Sequence, residues 1–94
     1  MRKHPALQQL GNRIRQLRLE AGFSQEDFAA EADFDRTYYG GVERGERNIS
    51  ALNLLQLAKT LRLEVGDLFP KLSEIEREMP STKLSRAARQ SKKN

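Results

Sequence analysis

Asp35, Arg36 and Thr37 are the strongest candidates in this chain for recognition chemistry. Aspartate is a favoured helix N-cap, so Arg36 and Thr37 fall on the first turn of a helix that Asp35 opens. A guanidinium placed there can grip two acceptors at once, such as O6 and N7 of guanine. The threonine beside it offers a hydroxyl to a base or phosphate and a methyl to thymine. Tyr38, Arg47 and Asn48 follow closely and carry donors suited to phosphate oxygens. The plainer reading of Arg36 is a solvated arginine on a helix surface.

Other chemistries find little support. The chain has no cysteine and one histidine, His4, so neither a thiolate metal site nor a nucleophile–histidine–acid group can be assembled. The carboxylates fall at capping and surface positions, and the glycines mark helix ends with no strand before them. The expectation is a non-enzyme with no catalytic residues, no metal, no cofactor and no small-molecule ligand. No apolar run approaches the length of a membrane span and no apolar leader opens the chain. These features suggest a soluble, cytoplasmic and nucleoid-associated protein.

Charge needs to be located before it is interpreted. The 94 residues carry 17 basic and 13 acidic side chains, for a net +4. Lys83, Arg86, Arg89, Lys92 and Lys93 contribute five of those positive charges with no acid among residues 80–94, leaving 12 basic against 13 acidic residues over 1–79. The part expected to fold is thus not basic overall, and the placement of its arginines matters more than their number.

The elements that must position these groups are all helical. Pro5 suits a first helical turn, and Leu7, Leu10, Ile14 and Leu17 follow as an apolar stripe. Gly22 stops that helix, giving a span of about residues 6–21. Ser24 caps a second helix of about two turns, with Phe28, Ala29 and Ala32 inward. Asp33 supplies the turn, Asp35 caps the third helix over a buried Tyr39 and Val42, and Gly45 ends it. After a polar loop, Ser50 caps a fourth helix that is apolar over more than half its girth through Leu52, Leu55, Ala58 and Leu61, with Leu54 and Leu57 beside them. Leu63, Val65, Leu68 and Phe69 make a short fifth helix, and Leu72, Ile75 and Met79 a weaker pattern ending at Pro80. The fold class is all-α, five short helices with a C-terminal extension whose basic end is expected to be mobile. Gly40 and Gly41 are unusual inside a helix and suggest close approach of DNA or of the first or fourth helix.

These residues resemble the helix-turn-helix regulators typified by the phage lambda repressor and Cro. The resemblance runs from Ile14-Arg15 and Leu17-Arg18 through Gly22, Ser24-Gln25 and Ala29 to Val42-Glu43-Arg44-Gly45, Leu55, Leu61 and Leu68-Phe69. Asp35-Arg36-Thr37-Tyr38 with Glu43-Arg44 and Arg47-Asn48 is most similar to the controller proteins of restriction–modification systems. Two positions depart from the family pattern: Asp33 stands where glycine is usual, and Tyr39 replaces a β-branched aliphatic residue, so its hydroxyl must find a partner.

The resemblance implies a DNA-binding domain over 12–69, with the helix-turn-helix motif at 25–44, an N-terminal arm over 1–11 and an extension over 70–94. It implies a transcriptional regulator whose third helix enters the major groove of double-stranded DNA. Gln25 would bond a phosphate, Arg36 and Thr37 would face bases, and Tyr38, Arg47 and Asn48 would complete the phosphate clamp. Arg18 and Glu43 would form a structural ion pair. One such domain reads too few base pairs for specificity, so a homodimer on an inverted-repeat operator is expected, joined through Leu54, Leu57, Leu61, Leu63, Val65 and Phe69. RNA polymerase is a further candidate partner, through acidic residues. The alternative is an antitoxin that binds a partner toxin and autoregulates its operon.

Overall fold

The computed structural model describes residues 4–79, so the basic segment over 80–94 and the expected stop at Pro80 lie outside the described residues. Among the described residues the chain is all-α, with helices α1 (Pro5–Glu20), α2 (Gln25–Glu31), α3 (Arg36–Glu43), α4 (Ala51–Leu61) and α5 (Leu72–Glu76). The expected fifth helix is a single 3-10 turn, Val65–Leu68, and α5 forms within the weaker pattern that follows it. No helix among these is long and apolar enough to cross a membrane.

Local chemistry sets the helix starts. Ser24, Asp35 and Ser50 each accept a hydrogen bond from the amide three residues on, at 3.0–3.1 Å. At α1 the cap is His4, whose Nδ1 accepts from the Ala6 amide at 3.0 Å, and Pro5 takes the first helical position.

Helices α1 to α4 share one way of stopping. Each is followed by a residue with positive φ: Gly22 at 86°, Asp33 at 63°, Gly45 at 77° and Arg62 at 58°. The next amide then reaches back into the last turn, from Phe23 to Arg18, Phe34 to Ala29, Glu46 to Gly41 and Leu63 to Ala58. Asp33 thus takes the part of the glycine usual at that turn. Arg62 does the same without being an obvious turn residue.

Phe28, Tyr39, Ile14, Leu57 and Leu68 are the large, fully buried side chains at the centre. Phe28 touches Phe23 and Tyr39 at ring-centroid distances of 5.2 and 5.3 Å, the latter edge to face. Gly11 allows α1 to meet the end of α3, since a Cβ there would lie 2.5 Å from the Val42 carbonyl oxygen. Gly45 is pressed against α1 as well, with the Gln8 Cα only 2.7 Å from where its Cβ would be.

On α4 the structure departs from the expected dimer face. Leu54, Leu57 and Ala58 point into the core, with Leu57 fully buried, so Leu54 and Leu57 complete the monomer and do not supply a dimer face. Leu61 packs against that core from a half-buried position. The outward stripe is Leu52 and Leu55, 78% and 52% exposed. Apolar residues cover more than half the girth of the helix, so the sequence pattern alone does not say which arc faces the core.

Candidate nucleic-acid interface

The candidate reading head is α3 with the side chains that reach it. The Asp35 cap fixes where the helix begins, through the Tyr38 amide to Oδ2 bond at 3.0 Å. Arg36 and Thr37 therefore stand on its first turn, and both are exposed. Tyr39, Val42 and Glu43 are buried and tie the rest of the helix to the bundle.

The tie is a carboxylate with four donors. Arg18 of α1 forks onto Glu43, Nε to Oε2 at 2.7 Å and Nη2 to Oε1 at 3.1 Å, while its Nη1 donates to the Phe23 carbonyl at 2.9 Å. The Tyr39 hydroxyl donates to Glu43 Oε2, and Gln25 Nε2 donates to Oε1 at 3.1 Å. The unusual tyrosine at this position thus finds the hydroxyl partner its burial demands. Burial alone would raise the Glu43 carboxyl, but the donors from Arg18, Tyr39 and Gln25 outweigh it and hold the group below its ordinary range. The Glu43 hydrogen bond pushes Arg18 up, and burial, reinforced by the bond to Glu43, pushes Tyr39 far up. At neutral pH the three groups are an arginine cation, a carboxylate and a neutral phenol.

Gln25 is consequently held from behind. Its side chain also borders an open cleft of about 540 Å³ lined by Gln8, Asn12, Arg15, Gln25, Glu43 and Arg44, where α1, α2 and α3 converge. Arg15 is exposed on this cleft, and nothing in its local sequence sets it apart from the other arginines of α1.

Gly40 and Gly41 serve neither close helix packing nor a bare surface. A Cβ on Gly40 would lie 3.0 Å from Arg44 Nη1, and one on Gly41 would lie 3.0 Å from Arg47 Cγ. Each glycine is the floor on which an arginine from further along the chain is laid. Arg44 also pairs with Glu46 at 3.1 Å, and the Arg47 guanidinium lies 5.9 Å from the Tyr38 ring centroid. Arg47 and Asn48 are exposed and Tyr38 is half-buried, and the loop into α4 lays Arg47 beside α3. Asn53 joins this group from α4, and no feature of local sequence marks it.

The match to known proteins fits this geometry. The family profile described as Helix-turn-helix covers residues 14–68. This chain belongs to the helix-turn-helix family. It is a DNA-binding transcriptional regulator, similar to restriction–modification controller proteins. The helix-turn-helix chain is 45% identical over 69 residues to the control protein C.MunI of a Mycoplasma species, covering 72% of this chain and 89% of that protein. It is 42% identical over 59 residues to the control protein C.BamHI of Bacillus amyloliquefaciens, 62% of this chain and 73% of the relative. Among solved structures, the controller protein C.AhdI of Aeromonas hydrophila superposes with a TM-score of 0.65 at 49% identity, covering 67% of this chain and 96% of that one. The wild-type controller protein C.Esp1396I gives 0.62 at 31% identity, with coverages of 79% and 92%.

Beyond the reading head, this helix-turn-helix protein exposes Leu52, Leu55, Leu63, Val65 and Phe69 on α4 and the turn after it. Among its described residues no group of three or more His, Cys, Asp or Glu side chains could hold a metal ion.

Proposed function

We propose that this regulator binds an inverted-repeat operator as a homodimer and controls a restriction–modification operon. The observation that carries the reading is the exposed first turn of α3, with Arg36 and Thr37 outward on a helix anchored behind by Glu43. Arg36 reads a base edge and Thr37 a neighbouring base or phosphate. Gln25, held by Glu43, bonds a phosphate on one side of the groove. Tyr38, Arg47 and Asn48 bond the backbone on the other side, helped by the free amides at the start of α4.

Dimerisation supplies the reading length. The outward leucines Leu52 and Leu55, with Leu63, Val65 and Phe69 exposed and Leu61 half-buried, offer apolar side chains for a subunit contact. A two-fold contact there would set two copies of α3 about 34 Å apart, one turn of DNA. Glu26, Asp27 and Glu31 lie exposed on α2 and offer RNA polymerase an acidic surface once the dimer is bound. Similarity to controller proteins supports this reading over an antitoxin role.

Selection of bound sequences from a random duplex pool tests it. The expected product is an inverted repeat with half-sites about one helical turn apart. Enrichment of no sequence would overturn specific recognition, and a lone unrepeated half-site would overturn the dimer.

A further inference from the structure

The Tyr38 hydroxyl accepts a hydrogen bond from Asn53 Nδ2 at 3.1 Å, linking α3 to α4 across 15 residues of sequence. The same ring packs on Phe34, 5.9 Å between centroids and tilted by 42°. Arg47 lies 5.9 Å from its centroid, on the floor left by Gly41. Groups from the turn before α3, the loop after it and α4 therefore hold one half-buried tyrosine.

The direction of the Asn53 bond has a chemical consequence. A phenol oxygen can accept one hydrogen bond and donate another at the same time. With an amide N–H occupying the accepting side, the hydroxyl proton is turned away from Asn53 and is available to a separate acceptor. A phosphate oxygen is such an acceptor, and a donor already oriented toward it needs less ordering when DNA arrives.

We propose that Asn53 is a positioning residue that sets Tyr38 as a hydrogen-bond donor to the DNA backbone, making Tyr38, Arg47 and Asn53 one preassembled clamp. This rests on the reading above, in which Tyr38 faces the operator. Asn53 does not touch DNA itself. Its contribution to binding passes entirely through the Tyr38 hydroxyl.

A double-mutant cycle on the full chain and its selected operator tests this. Tyr38→Phe should weaken binding about tenfold, as loss of one hydrogen bond to a charged acceptor does. Asn53→Ala should weaken it about fivefold alone and leave it unchanged in the Tyr38→Phe background, because the group it orients is gone. Asn53→Asp is the second variant. An acid at the third position of a helix favours folding, so α4 should survive intact. Its carboxylate would accept the hydrogen bond from the Tyr38 hydroxyl and draw it away from the DNA backbone, so it should cost more than Asn53→Ala, and the excess should shrink when Tyr38 is Phe.

The outcomes separate cleanly. Losses that multiply in the double variant would overturn the positioning role and make Asn53 an independent contact. A loss in Tyr38→Phe with none in Asn53→Ala would overturn the inference while leaving the DNA reading of Tyr38 standing. No loss in Tyr38→Phe would remove that reading, and the inference with it.

Discussion

Gly11 and Val42 touch where α1 crosses the end of α3, so closely that a single added carbon on Gly11 would lie 2.5 Å from the Val42 carbonyl oxygen. Helix propensity alone would favour alanine at this mid-helix position by about 1 kcal/mol. The overlap is with backbone, which cannot rotate aside, and forced separation of packed elements costs about 1–3 kcal/mol or more. Gly11→Ala should therefore lower stability in urea unfolding despite its better propensity. A Cβ on Gly66 would meet nothing within 4 Å, and its φ is not positive, so Gly66→Ala is the neutral control.

Glu43 makes stability depend on acid. Its folded pKa lies below its ordinary 4.5, so its contribution is complete above that value and is lost as pH falls through the lowered one. The urea midpoint of the native chain should fall below about pH 4.5 as the carboxylate takes up a proton. Glu43→Gln should lose about 3 kcal/mol at neutral pH, since it strands the buried Arg18 cation, and should show a flatter acid limb. Equal acid slopes in both proteins would show that Glu43 is not a principal source of the acid sensitivity.

Arg62 holds a left-handed conformation at φ 58° where α4 ends, and its side chain is exposed. Glycine adopts this conformation without steric cost, so Arg62→Gly should stabilise the fold by about 1 kcal/mol, read from the thermal midpoint.

The two stripes of α4 should respond in opposite ways. Leu52→Lys or Leu55→Lys should abolish the proposed dimer in sedimentation while leaving the helical signal and unfolding midpoint of the monomer near native. Leu57→Ala should cost about 2–5 kcal/mol of stability, because it opens a cavity in a fully buried site.

What is legible in the sequence is local. Ser24, Asp35 and Ser50 each bond an amide three residues away, so the starts of α2, α3 and α4 can be placed from a few neighbouring letters. Asp33 at the turn and the burial of Tyr39 and Val42 follow in the same way. What stays hidden depends on residues distant in the chain. Gly40 and Gly41 are floors for Arg44 and Arg47, and Gly11 is a helix crossing, none of which has a signature in its own surroundings. Asn53 is joined to Tyr38 only because α4 folds back beside α3. On α4, leucines on both flanks leave the inward direction undetermined, which is why the sequence pattern puts Leu54 and Leu57 wrongly at the dimer face. The turn Val65–Leu68 is too short for any periodicity to distinguish a 3-10 from an α-helix.

The most direct measurement is the binding-site preference of Arg36→Ala, obtained by titrating the native chain and the variant against an operator and its single-base variants. If the first turn of α3 reads nucleobases, the variant should lose about 1–3 kcal/mol of discrimination at one base position per half-site and keep its preferences elsewhere. A uniform loss of affinity across every sequence would contradict it, and would reduce Arg36 to a backbone contact.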